Sequence, residues 1–188
     1  DGETVDASVF ATACWQCPAG TYSLSGESGC APCNPGATTD TLQEPGASVC
    51  TGCEPGSSSP DSTVPCALCS QGSYVGQSGS SQCIGCPAGQ FGIVRGAETL
   101  EQGCEDCEVG QFSVLGSSVC VTCPSGQVDH DEDPASPCRL CPVGTFAECG
   151  SSECQVCGAG RADTDLDSST PCVICPRGTV WNASQGVQ

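Results

Sequence analysis

The sequence predicts a chain of small disulfide-rich repeats: an elongated rod of about ten tandem cysteine-rich units, made of short β-hairpins and turns with almost no helix. Three observations lead there. Cysteine supplies 21 of 188 residues, a density that marks a disulfide scaffold. Leu, Ile, Val and Phe together supply 30, and the formal charge is −18. Such a chain buries too little apolar surface to order itself without covalent help. The cysteines also recur every 16 to 21 residues, which leaves no room in a unit for a helix and its turns.

Internal self-similarity organises the whole chain. Ten C-x-x-C pairs run along it: Cys14/Cys17, Cys30/Cys33, Cys50/Cys53, Cys66/Cys69, Cys83/Cys86, Cys104/Cys107, Cys120/Cys123, Cys138/Cys141, Cys154/Cys157 and Cys172/Cys175. Cys149 alone stands outside the series. Three residues after every second cysteine there is a glycine, at 20, 36, 56, 72, 89, 110, 126, 144, 160 and 178. A glycine fixed at one position in ten repeats implies either a positive φ in a turn or the close approach of a neighbouring backbone. Two residues further on, five repeats carry an aromatic: Tyr22, Tyr74, Phe91, Phe112 and Phe146. With no larger core to enter, each is expected to pack over the disulfides of its own repeat. The remaining repeats are polar there, and several carry Asp and close on Pro-Cys.

Units start near residues 14, 30, 50, 66, 83, 104, 120, 138, 154 and 172, so the array spans 14–175. Residues 1–13 lack the pattern and read as a tail or a docking strand, and 176–188 read as an incomplete terminal repeat. Units this small, stacked end to end, touch their neighbours and extend as a rod.

The charge excludes several partners. Twenty-two acids face four Arg and no Lys, and so acidic a surface repels phosphate backbones and anionic headgroups. Nucleic-acid binding and membrane insertion by this segment are therefore not expected. No apolar run approaches the ~18 residues of a spanning helix.

Cysteine pairs at these spacings also lie near zinc-ribbon geometry. Zinc needs four thiolate or imidazole ligands per ion, whereas the chain has a single His and an excess Cys149. Thiol–disulfide exchange would not call for ten copies. The Ser, Thr and Gly loops, and an Asn182-Ala-Ser sequon, favour an oxidising compartment and disulfides. The protein is expected to be secreted or at the cell surface, with Asn182 glycosylated and the Ser/Thr-rich loops open to O-linked sugar.

The run Cys17-Pro-Ala-Gly-Thr-Tyr-Ser23, closed by Gly29-Cys30-Ala-Pro-Cys33, resembles the ephrin-receptor-like cysteine-rich repeat. It is also similar to the cysteine-rich modules of tumour necrosis factor receptors and of growth-factor receptors. The resemblance covers about residues 14–181 and implies disulfides, an extended shape and a binding or scaffolding role. It carries over no catalytic residue. It further implies that the second Cys of each pair bonds the first of the next: Cys17-Cys30, Cys33-Cys50, Cys53-Cys66, Cys69-Cys83, Cys86-Cys104, Cys107-Cys120, Cys123-Cys138, Cys141-Cys154 and Cys157-Cys172. Cys14, Cys149 and Cys175 are then left over as candidates for bonds to other chains. Cys14 closes a loop with no opener and Cys175 opens one with no closer, so copies could join head to tail into an open filament. The alternative is that repeats continue beyond both ends. Cys149 could instead pair with Cys141 locally, displacing the 141–154 bond.

Asp129-x-Asp131-x-Asp133 and Asp163-x-Asp165-x-Asp167 stand at the same offsets, +6, +8 and +10 from a second cysteine. Alternating carboxylates resemble the start of a calcium loop, although Pro134 and Ser168 stand where an EF-hand has its turn glycine. The competing reading is a solvated loop in which Asp61, Asp131 and Asp165, at the shared +8 offset, bond turn amides. His130 reads as a surface residue, and Trp15 and Trp181 as packing or end-contact residues. No nucleophile elbow, zinc-protease, P-loop or dinucleotide motif occurs, so no enzyme is expected and no cofactor beyond the calcium just weighed. The leading functional reading is an extracellular structural protein, a glycosylated disulfide-stapled rod that repeats in a filament, surface coat or appendage. The alternative is a cysteine-rich segment of a receptor or adhesion ectodomain that binds a protein ligand.

Overall fold

The computed structural model describes residues 13–180. Within them, nine disulfides close nine consecutive loops, from Cys17–Cys30 to Cys157–Cys172, each joining the second cysteine of one pair to the first of the next. We number these loops as units 1 to 9 and count positions in a unit from its opening cysteine. Every unit holds one antiparallel hairpin whose strands are two or three residues long, and each hairpin is a sheet by itself. The single helical turn among the described residues, Leu100–Gly103, lies in unit 5 and is capped by the Thr99 hydroxyl, which accepts the Gln102 N–H.

One local device builds all the hairpins. The N–H at +4 donates to the carbonyl at +1, as in Thr21 to Pro18 at 3.1 Å and Ser57 to Glu54 at 3.1 Å. The glycine at +3 has a positive φ in all ten copies, between +76° and +90°, the type II turn pattern that excludes most side chains. The chain then runs into the first strand, while the two residues inside the next C-x-x-C form the return strand. The glycine carbonyl accepts the N–H of the cysteine that opens the following unit, as in Cys53 to Gly36 at 2.8 Å and Cys123 to Gly110 at 2.9 Å. A strand pair this short does not hold in water unaided. The turn and the disulfide fix its two ends.

Several of the same glycines also meet the backbone two units further on. A Cβ built on Gly36 would stand 1.9 Å from the Gly79 carbonyl oxygen, and one on Gly56 2.3 Å from that of Gly96. The contact recurs between Gly72 and Gly116 and between Gly110 and Gly150. Positive φ and close approach, two separate reasons for a glycine, therefore act at one position. Contacts described for residues 13–180 reach one or two units along the chain, so the array is one-dimensional.

The five aromatics are half-buried, and each faces the first residue inside the next C-x-x-C across its hairpin. Tyr74 pairs with Ile84 and Phe112 with Val121. Tyr22 and Tyr74 also form single parallel bridges to Ala47 and Ala97 of the next unit. Their partners are thus a cross-strand residue and the neighbouring loop.

The two glycine constraints can be separated by mutation. Gly26 has φ +87° with nothing within 4 Å of a built Cβ, so Gly26→Ala should cost about 1 kcal/mol, the left-handed penalty alone. Gly56→Ala adds a backbone collision and should cost several-fold more, read as a larger drop in the thermal midpoint of the oxidised protein.

Candidate functional site: the joints between units

Among the described residues the apolar interior is small, with one cluster of Val128, Cys141 and Ala147. The interior is a column of opening cysteines, with Cys53, Cys69, Cys86 and Cys123 at most 2% exposed, beside a second column at position +6. That second column reads Ser23, Thr39, Ser59, Val75, Gly92, Ser113, Asp129, Ala147 and Asp163. Its members from Thr39 to Ala147 are buried. The column is where units join. From unit 1 to unit 8, the +6 N–H donates to a loop carbonyl of the following unit: Ser23 to Ala47, Thr39 to Ser62, Ser59 to Ser80, Val75 to Ala97, Gly92 to Ser117, Ser113 to Pro134, Asp129 to Ser151 and Ala147 to Ser168. A second bond returns in the other direction. In units 1, 3, 4, 5 and 7 the opening-cysteine carbonyl accepts from a loop glycine of the following unit, as in Gly79 to Cys53 and Gly116 to Cys86, both at 2.8 Å.

A third bond distinguishes the joints. In units 2, 3, 5 and 7 the +3 glycine N–H donates to the +6 main-chain carbonyl of the next unit, as in Gly56 to Val75 at 2.7 Å. At two joints a carboxylate takes that place. Gly110 donates to Asp129 Oδ2 at 3.2 Å, and Gly144 to Asp163 Oδ2 at 3.0 Å. Asp129 is the buried charged residue among those described, 4% exposed, and its Oδ1 has no partner. The buried hydroxyls of the column are likewise committed to main chain: Ser59 Oγ donates to Val64 O at 2.6 Å, and Ser113 Oγ to Gln90 O at 2.7 Å. Side chains in this column serve the backbone groups that the thin fold leaves without partners.

This geometry separates the six aspartates that look alike in sequence. Those at +6, Asp129 and Asp163, turn inward to the joints. Asp131 and Asp165, at +8, close exposed turns: Asp131 accepts the Ser136 hydroxyl at 2.9 Å, and Asp165 the Thr170 hydroxyl at 3.0 Å. At +10, Asp133 and Asp167 accept the amides of Ala135 and Ser169. The structure does not bring the six aspartates of the calcium reading together. The six carboxylates point three ways, and among the described residues no three His, Cys, Asp or Glu side chains gather as a metal site. Hydrogen bonds hold four exposed carboxyls below the ordinary carboxylate range: the Ser136 hydroxyl at Asp131, the Asp167 amide at Asp165, the Thr63 amide at Asp61 and the Ser48 hydroxyl at Asp40. His130 is exposed, its Nε2 3.6 Å from Asp131 Oδ2.

Cys14, Cys149 and Cys175 carry free thiols, the first two exposed. Cys149 is not bonded to Cys141, which pairs with Cys154. Trp15 is 90% exposed. Asn182 and Trp181 lie outside the described residues, as do residues 1–12 of the N-terminal segment.

With hairpin, disulfide and joint repeating in register, the comparison with known families is direct. Residues 56–102, from the +3 glycine of unit 3 into the helical turn of unit 5, match the family described as tyrosine-protein kinase ephrin type A/B receptor-like. This stretch is an ephrin-receptor-like cysteine-rich segment. No curated protein matches the chain. The segment sits inside a tandem cysteine-rich array whose other units repeat its turn and its bond pattern. Nine disulfides and an ephrin-receptor-like segment fit an extracellular module. No helix among the described residues is long and apolar enough to cross a membrane.

The joint is the feature that sequence reading missed, and Asp129 tests it. Asp129→Ala removes the acceptor of a buried N–H and should destabilise by about 1–3 kcal/mol. Amide exchange should show the protection of Gly110 falling more than that of Gly56, whose acceptor is a main-chain carbonyl. Asp129→Asn keeps an acceptor and should retain most of that protection.

Proposed function

We propose that the protein is an extracellular, non-enzymatic structural element: a disulfide-stapled rod that is secreted, carries glycan at Asn182 and on its Ser/Thr loops, and repeats end to end in a filament, coat or appendage. The observation that carries this reading is the repeated joint. At all eight joints the +6 N–H of one unit meets a loop carbonyl of the next, so the contact has no built-in end and copies can continue it. The placement of the free thiols agrees with the reading. Cys14 and Cys175 belong to C-x-x-C pairs in line with the ladder, whereas Cys149 sits on the side of unit 8. The buried hydroxyls of Ser59 and Ser113 inside the rod are committed to main chain. Calcium has no role in this reading.

The second reading is a receptor or adhesion segment with a protein ligand, favoured by the ephrin-receptor-like match over residues 56–102. The two readings differ in what the isolated protein does. Under the first, oxidised protein forms end-joined rods of increasing length in electron micrographs, and a non-reducing gel shows a ladder of multimers that Cys14→Ser or Cys175→Ser abolishes. Under the second, the protein stays monomeric at every concentration and its ladder is absent.

A further inference from the structure

Between Cys17 and Cys172 the nine disulfides follow one another in series, and consecutive disulfides are separated only by the three residue steps of a C-x-x-C pair. Every other residue in that span lies inside a disulfide-closed loop. The shortest covalent path along the array therefore crosses a disulfide, runs through one C-x-x-C link, and crosses the next disulfide. Loops that close over 13 to 18 residues are bypassed.

From this connectivity we propose a further function: the array is a tension-bearing tether of fixed length, in which an axial pull passes through disulfides and C-x-x-C links while the loops carry none of it. Eight links extended at about 3.5 Å per residue step give about 85 Å. Nine crossings, with Cα atoms 5.5 to 5.8 Å apart, add about 50 Å. Cys17 and Cys172 thus cannot be drawn further apart than about 140 Å, although the unbridged chain between them would reach about 540 Å. Bonding within each C-x-x-C pair would have left 12 to 17 unbridged residues per unit and an extensible chain. The loops released from the pull are the ones that hold the joints: Ala47, Ser80, Ala97 and Ser117 supply the acceptor carbonyls, and Gly79 and Gly116 the returning N–H groups. A rod under tension keeps its joint-forming side structured because that side is off the covalent path.

The same geometry sorts the free thiols. Bonds made through Cys14 or Cys175 would add to the path in series. A bond through Cys149, in the bypassed loop of unit 8, would attach a partner sideways and transmit no axial pull through that loop.

Optical-tweezer extension of the full oxidised chain, with handles at both termini, tests the tether directly and does not depend on self-association. The two unbridged ends add about 110 Å, so extension should stop at about 250 Å. A thiol reductant should then release about 400 Å in up to nine separate steps of about 40 to 60 Å. The variant Cys86→Ala/Cys104→Ala, which opens the largest loop, should lengthen the oxidised limit by about 55 Å and leave the other steps in place. An oxidised chain that lengthens well past 250 Å, or a reductant that adds nothing, would overturn the tether. A monomeric chain that passes this test would overturn end-to-end assembly while leaving the tether standing.

Discussion

A strand of two residues has too little backbone to hold a partner in water, and this protein is made of such strands. What holds them is the bond from the second cysteine of one pair to the first of the next. Each closes a loop of 13 to 18 residues, which on the chain-entropy estimate removes roughly 3 kcal/mol of unfolded-state freedom. The bond also fixes the register of each hairpin, because the return strand lies within the C-x-x-C that follows. The turn at +1 to +4, the half-buried aromatics and the joints all depend on a hairpin that cysteine has already set in place.

Once the strands are clamped, the remaining difficulty is polar rather than apolar. A thin rod cannot shield its backbone with a hydrophobic core, so buried N–H and C=O groups must find partners in the next unit. The +6 column does this with main chain in most units and with a carboxylate in two. Mixed chemistry is tolerated there because the requirement is small size plus an acceptor. Ser59, Val75, Gly92 and Asp129 meet it in different ways. Gly92 stands where a built Cβ would meet Gly72 N at 1.7 Å, so at that joint the two backbones leave no room for any side chain.

This explains what was legible in the sequence. Cysteine spacing and the invariant +3 glycine are chemically unmistakable, and they disclosed the repeats, the hairpins and the scarcity of helix. The ladder pairing came with the family resemblance, since spacing alone permits many connectivities. The +6 column left no signal that hydrophobic patterning can detect, because its members, from Gly92 to Val75 and Asp129, share modest size but not polarity. The acidic triplets could not be resolved in sequence for a related reason. The first strand of that hairpin ends at Val128, so Asp129 enters the joint and Asp131 lies in the irregular turn beyond it, where no strand or helix period tells their directions apart and only their side-chain chemistry can be read. The aromatics were correctly seen as lacking a core to enter, but their cross-strand partners required the register of the hairpins.

The proposed function rests on the same two features. The covalent ladder limits length, and the repeated joint gives the rod neighbours to stack on, two properties suited to a structural element outside the cell. The ephrin-receptor-like segment at residues 56–102 fits an extracellular cysteine-rich module. The central claim is the wiring itself: second cysteine to first, unit after unit. Its most direct test is a disulfide map of unreduced protein, digested at low pH to prevent exchange and sequenced by mass spectrometry. The account predicts nine linked peptides from Cys17–Cys30 to Cys157–Cys172, with Cys14, Cys149 and Cys175 outside the ladder. Bonds within the C-x-x-C pairs, or free thiols that appear on removal of a metal, would contradict it.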